Sequence, residues 1–195
     1  MMRKMTIALW LSLALICLAG CKAGPAFTRR PPDVTALDLN GRMVNPFHEK
    51  TARAIVFLFV RTDCPISNRY APEIERLAAE YGSEGVVFWL VYPDGSTSGP
   101  EIERHRRDYH LSLQALRDPQ HALVKLSKVN VTPEAAVFLP DGHEVYRGRI
   151  DDRYVEFGKE RPAATTHDLD QVLKLVIGGK PIANSTKRAV GCYIE

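Results

Sequence analysis

Residues 54–60 read Ala-Ile-Val-Phe-Leu-Phe-Val, an unbroken apolar run. A strand with one wet face alternates apolar and polar side chains, so this run demands cover on both faces. Residues 86–91 (Val-Val-Phe-Trp-Leu-Val) repeat the pattern. Between the two, Tyr70, Ile74, Leu77, Ala78 and Tyr81 recur at helical spacing, and Gly82 stops the run. A hairpin is expected over 34–44 around Asn40-Gly41, a polar loop over 93–100, a charged helix over 101–109 and a short helix over 121–128. Strands at 135–139 and 144–150 flank Pro140-Asp141-Gly142, and 168–177 is amphipathic through Leu169, Val172, Leu173 and Val176. Residues 180–195 show no clear element. Strand, helix, strand and helix followed by a hairpin and a last helix predict an α/β sandwich with a central mixed sheet.

The first twenty residues differ in kind. Arg3 and Lys4 precede an apolar stretch over 7–18, too short for a comfortable membrane span, and small residues follow. Leu18-Ala19-Gly20-Cys21 resembles the lipobox of bacterial lipoproteins. That resemblance implies acylation at Cys21, export and attachment to a membrane of the cell envelope; an ordinary signal peptide or an uncleaved anchor is the alternative. Lys22 in place of Asp implies the outer membrane where there is one. The expected organisation is a leader over 1–20, a Pro-rich tether over 21–33, a domain over 34–178 and a tail over 179–195.

Cysteine use then narrows. Of four cysteines, Cys17 leaves with the leader and Cys21 takes the lipid, so Cys64 and Cys192 remain. Two thiols are too few for a disulfide framework but suffice for one redox pair in an oxidising compartment. A formal net charge of +3, with basic residues scattered, speaks against a nucleic-acid surface.

Cys64 stands at a strand-to-helix junction, where unpaired amides and the helix dipole favour a thiolate. Arg61 and Arg69 are expected to add to this, and Asp63 to oppose it. Residues 56–67 resemble the strand and active-site turn of thioredoxin-like proteins, with Cys64 at the nucleophile position and Ser67 where the second cysteine of Cys-x-x-Cys would stand. Residues 131–142 resemble the segment that carries that superfamily's cis-proline. Arg117-Asp118-Pro119 and residues 146–152 resemble its redoxin branch, which holds alkyl hydroperoxide reductase/thiol-specific antioxidant-like and cytochrome-maturation-type proteins. The resemblance implies a thioredoxin-like three-layer fold and an oxidoreductase without cofactor. It implies roles for Cys64, for Thr62 and Ser67 beside the thiolate, and for Thr132 and Pro133 in binding the partner.

The departures bear on mechanism. Ser67 cannot resolve a mixed disulfide, although its hydroxyl can bond a thiolate. A peroxiredoxin would carry Thr three residues before its cysteine and Pro four residues earlier still. Here Thr62 lies two before, and Phe57 holds the proline position. Cys192 is a candidate resolving thiol on a loose tail; a solvent-exposed thiol or an intermolecular crosslink is the other reading. The expected substrate is a protein thiol or disulfide, ahead of a peroxide, with an external thiol as reductant. The alternative is a copper-binding or client-binding module without turnover, in which Cys64, Cys192 and one of His105, His110, His121 or His143 would hold Cu(I). His105 and His110 are expected on a solvated helix, Asp151-Asp152 in a polar loop, and Trp89 and Tyr92 in core and rim.

Overall fold

The structure is a computed structural model that describes residues 32–49 and 51–195. The leader over 1–20, Cys17, Cys21 and most of the tether lie outside the described residues. The hairpin appears as β1 (Ala36–Leu37) and β2 (Met43–Val44), with Gly41 at φ 80° turning the chain. β3 (Ala54–Phe59) is buried at every residue, as its composition requires. The helical segment after it is broken in two, α1 (Pro65–Arg69) and α2 (Ala71–Gly82). Pro72 explains the break, because it lacks the amide that a continuous helix would have sent to Asn68 O.

There follow β4 (Val86–Tyr92), α3 (Gly99–Asp108), β5 (Gln114–Arg117), α4 (Ala122–Ser127), β6 (Val131–Thr132), β7 (Glu134–Phe138) and β8 (Glu144–Gly148). α3 starts two residues earlier than its charge pattern suggests. Ser98 and Glu101 form a reciprocal capping box there. A small hairpin, β9 (Tyr154–Glu156) and β10 (Lys159–Glu160), precedes α5 (Asp168–Ile177). The tail then contributes β11 (Ser185–Lys187) and β12 (Cys192–Tyr193), so the expectation of a loose tail is corrected.

Eight strands form one mixed sheet in the order β11-β8-β7-β3-β4-β5-β1-β2. β3 and β4 are parallel, as are β4 and β5, whereas β7 runs antiparallel to β3. Successive side chains of β3 point to opposite faces. Val56 and Leu58 join Ile74, Leu77, Ile102, Leu169 and Leu173 from α2, α3 and α5. Ile55, Phe57 and Phe59 join Phe47, Leu123 and Phe138 on the other face, where α4 packs. Phe47 stands edge-on to Phe57 and Phe138, with centroids 5.6 and 5.5 Å apart. This is the expected three-layer α/β/α sandwich, and it delivers the end of β3 to the start of α1.

The end of the expected tether touches the domain. Pro32 O already accepts from Asn45 Nδ2 at 3.3 Å.

Candidate active site

Cys64 is the N-cap of α1 and is fully buried, at 0% exposure. α1 has only five residues and Pro65 has no amide to offer, so the local donors at Cys64 come from Ser67 rather than from a long helix dipole. The expected help from arginines is not realised at the sulfur. Arg61 bonds Asp63 through Nε at 3.1 Å and Nη2 at 3.0 Å, and Arg69 pairs with Glu160 at 2.6 Å.

The decisive neighbour is Cys192. Its sulfur lies 2.8 Å from Cys64 Sγ, although 128 residues separate the two in sequence. Both are free thiols. The tail is held there by strand pairing: Cys192 faces Thr132 and Tyr193 faces Val131, antiparallel. Two further bonds fasten the end, Ile194 N–H to Asn130 O at 3.0 Å and Arg61 Nη1 to Tyr193 O at 3.2 Å. The approach is close enough that Gly191 is required, since a Cβ there would overlap the carbonyl of Thr132.

Burial pushes the Cys64 thiol up, but hydrogen bonds from Cys192 and from the hydroxyl and amide of Ser67 outweigh it and leave Cys64 below its ordinary value. Thr132 O works the other way. At 3.0 Å it accepts the S–H of the neutral thiol and repels the anion, but it stands alone against several donors. Ser67 Oγ is buried and makes no hydrogen bond of good geometry, so the hydroxyl is free to turn toward the sulfur as it ionises. Cys192 is pushed up to about 12, first by burial and then by its bond to Cys64 and the charge there. Of the two, Cys64 is therefore the thiol that ionises first, with the Cys192 S–H as a donor to it.

The peptide bond between Thr132 and Pro133 is cis, as the resemblance implied. Both residues are buried beside the sulfurs, with Thr132 Oγ1 3.5 Å from Cys192 O. Thr62 is placed differently from expectation: no hydrogen bond runs from its hydroxyl to Cys64 among the described residues, and its carbonyl instead accepts Asn68 Nδ2 at 3.2 Å.

That contact ends a buried polar chain that the sequence reading missed. Tyr92 Oη donates to His105 Nδ1 at 2.9 Å, and His105 Nε2 donates to Asn68 Oδ1 at 2.8 Å, which assigns the neutral Nε2–H tautomer. The chain ties β4 and α3 to the turn before Cys64. His105 is buried rather than solvated, and Tyr92 belongs to the core. Burial lowers the His105 pKa. The signal was available: His105 follows the buried Ile102 by three positions, on one helical stripe.

Asp151 and Asp152 do follow a strand in a loop, but both are buried and structural. Asp151 accepts Tyr70 Oη at 2.5 Å, and Asp152 accepts the amides of Thr165 and Thr166 at 2.6 and 2.9 Å. The histidines proposed as copper ligands do not converge on the sulfurs. His121 bonds Pro93 O and His143 bonds Asn184. Among the described residues, no group of three or more His, Cys, Asp or Glu is placed to hold a metal.

No curated protein sequence matches the chain. Among solved structures, an uncharacterised conserved protein of Geobacillus kaustophilus is similar at 23% identity and TM-score 0.73, over 85% of this chain and 89% of that one. A hypothetical protein of Sinorhizobium meliloti gives 20% and 0.72, over 85% and 91%. The exposed lipoprotein thioredoxin of Streptococcus pneumoniae gives 21% and 0.52, over 73% and 98%. These likenesses establish the thioredoxin-like fold. The AhpC/TSA family pattern matches residues 28–147, from the tether through the cis-proline to β8. With a buried thiol at the β3–α1 turn and a cis-proline facing it, the chain belongs to the AhpC/TSA family of thioredoxin-like redoxins.

Proposed function

We propose that this protein is a two-cysteine thiol–disulfide oxidoreductase in which Cys64 is the nucleophile and Cys192 resolves. The observation that carries the reading is the 2.8 Å approach of the two sulfurs. The Cys64 thiolate attacks one sulfur of a substrate disulfide. That S–S bond breaks, a bond to Cys64 forms, and the leaving thiolate takes up a proton. Once Cys64 has lost its charge, the hydrogen bond and the repulsion that held Cys192 protonated are gone. Cys192 then ionises and attacks Cys64 Sγ, and the second substrate thiol leaves. The Cys64–Cys192 disulfide holds the two-electron oxidation until an external thiol reductant reverses it.

Attachment through Cys21, read from Leu18-Ala19-Gly20-Cys21, would set this chemistry in the cell envelope, on the outer membrane where there is one. The likeness to a streptococcal lipoprotein thioredoxin is in keeping with that placement.

Intact mass of the oxidised full chain tests the pairing. The expected result is loss of two hydrogens, abolished in Cys64→Ser and in Cys192→Ser alike. A mass change that survives in Cys192→Ser would assign the partner elsewhere. Family membership favours a second reading, reduction of a peroxide, in which Cys64 becomes a sulfenic acid that Cys192 condenses with. Stopped-flow mixing with hydrogen peroxide separates the two. Oxidation of Cys64 no faster than that of free cysteine excludes the peroxide branch.

A further inference from the structure

The tail does more than carry a thiol. Gly191, Cys192 and Tyr193 lie along the β6 edge as an extended peptide would, with a cysteine opposite Thr132 and its sulfur at Cys64. While they lie there, Cys64 is wholly covered. The tail is part of that cover, because the Cys192 sulfur lies against Cys64.

The resemblance already gives Thr132 and Pro133 to partner binding; we propose that the tail occupies this edge as a built-in surrogate for the disulfide-bearing segment of a client protein, and that it displays the sequence the edge accepts. This rests on the reading of Cys64 as a thiol–disulfide nucleophile and adds who competes for it and what sequence fits. A client taking the tail's place pairs antiparallel with Val131 and Thr132 and sets its reacting cysteine opposite Thr132. The residue before that cysteine then meets the Thr132 carbonyl, where any Cβ overlaps, so the groove selects Gly-Cys. The residue after it takes the place of Tyr193, beside Val131, Glu156 and Phe157, which remain when the tail has left. Phe157 is 70% exposed, an apolar surface that suits an aromatic client residue. Once the client segment has swung off the edge, still joined through sulfur, the tail returns to β6, Cys192 attacks Cys64 Sγ opposite the client sulfur, and the client leaves as a thiol. Clients without a glycine before the cysteine are rejected by the backbone, not by a pocket.

The experiment uses the full chain as Cys192→Ser, with Cys64→Ser as the control. Two peptides, Ala-Val-Gly-Cys-Tyr-Ile and Ala-Val-Ala-Cys-Tyr-Ile, each carry thionitrobenzoate on cysteine as a mixed disulfide, and its release is followed by absorbance. A small aromatic disulfide without peptide reads the intrinsic reactivity of Cys64. The Gly-Cys peptide is expected to react at least about tenfold faster than the Ala-Cys peptide. Deleting residues 189–195, or the milder Ile194→Pro, which removes the amide bonded to Asn130 O and the packing of the Ile194 side chain, should accelerate the Gly-Cys peptide by about tenfold or more. If the small disulfide reacts no faster than in Cys64→Ser, the nucleophile assignment itself fails. If it reacts but the two peptides are equal, or neither tail variant accelerates them, the surrogate role is overturned and the nucleophile stands.

Discussion

Gly191→Ala separates closure of the tail from the stability of the domain. A Cβ at this position would overlap the oxygen of Thr132 and press on its carbonyl carbon and on Pro133 N. None of these atoms can move, because they belong to the backbone that faces Cys64, so β12 must lift. Lifting forfeits the two-residue ladder to β6, the Ile194 amide bond and the Arg61 bond to Tyr193 O. At about 0.5–1.5 kcal/mol net for each hydrogen bond, discounted for the exposed arginine, closure of the tail weakens by about 2–4 kcal/mol. That is a factor of roughly 30–900 in the ratio of closed to open tail. Resolution needs the closed tail, so formation of the Cys64–Cys192 bond after a mixed disulfide should slow by a similar factor. Quenched-flow trapping with a thiol-blocking reagent, read by mass, measures it. Global unfolding by urea should change little, because β12 is a terminal strand on a two-residue partner. A variant that resolves at the parent rate, or one whose global stability falls by the whole amount, refutes the argument.

Cys192→Ala removes a donor from the Cys64 anion, so the thiolate should titrate at higher pH than in the parent; ultraviolet thiolate absorbance against pH reads the shift, and a downward move contradicts the assignment of charge. His105 faces Tyr92, Asn68, Tyr109 and Asp108, and burial lowers its pKa below the ordinary 6.5. The unfolded chain therefore binds the proton first: stability is full above that value and declines as pH falls through it toward the lower folded value. Urea unfolding at about pH 7.5 and about pH 5 should show the loss, and His105→Gln should flatten it. Asp118 is 1% exposed and accepts the amides of Ala122, Leu123 and Val124 at 2.8, 2.9 and 2.9 Å. Asp118→Ala leaves these donors of α4 without a partner and should cost about 2–4 kcal/mol in urea unfolding; a loss below about 1 kcal/mol would show that water replaces the carboxylate.

The elements that the sequence displayed best are those whose burial is one-dimensional. β3 and β4 needed no context, because a run of apolar residues states its own environment, and α5 matched the expected 168–177 to the residue. The break at Tyr70 was encoded by Pro72 but hidden under a helical stripe that continues through it. β5 shows only two buried residues among four, too short to display a period. β11 and β12 were illegible for a different reason. β11 is a polar Ser-Thr-Lys and β12 only two residues long, and what makes them strands is the free edges of β8 and β6 rather than any propensity of their own. The position of His105 followed the same rule: the side chain is polar, but its stripe is buried.

The Cys-x-x-Ser turn gains its meaning from that edge. With a second cysteine at position 67, the pair would be closed within α1, and access to Cys64 would be independent of the rest of the chain. With Ser67, the second thiol arrives from 128 residues away, on a strand that pairs with the edge beside Cys64. Whatever fills the groove therefore controls two things at once: whether Cys64 is covered, and whether its partner thiol is present. Covered, Cys64 is the more acidic thiol of the pair, and its bond and charge keep Cys192 protonated. Uncovered, Cys64 loses the Cys192 donor but also the burial that opposes its charge, and it becomes accessible. An extended client strand that brings its own hydrogen bonds to β6 offsets the loss of the tail's. A small peroxide brings no such strand, so the same device gives it no means of opening the site.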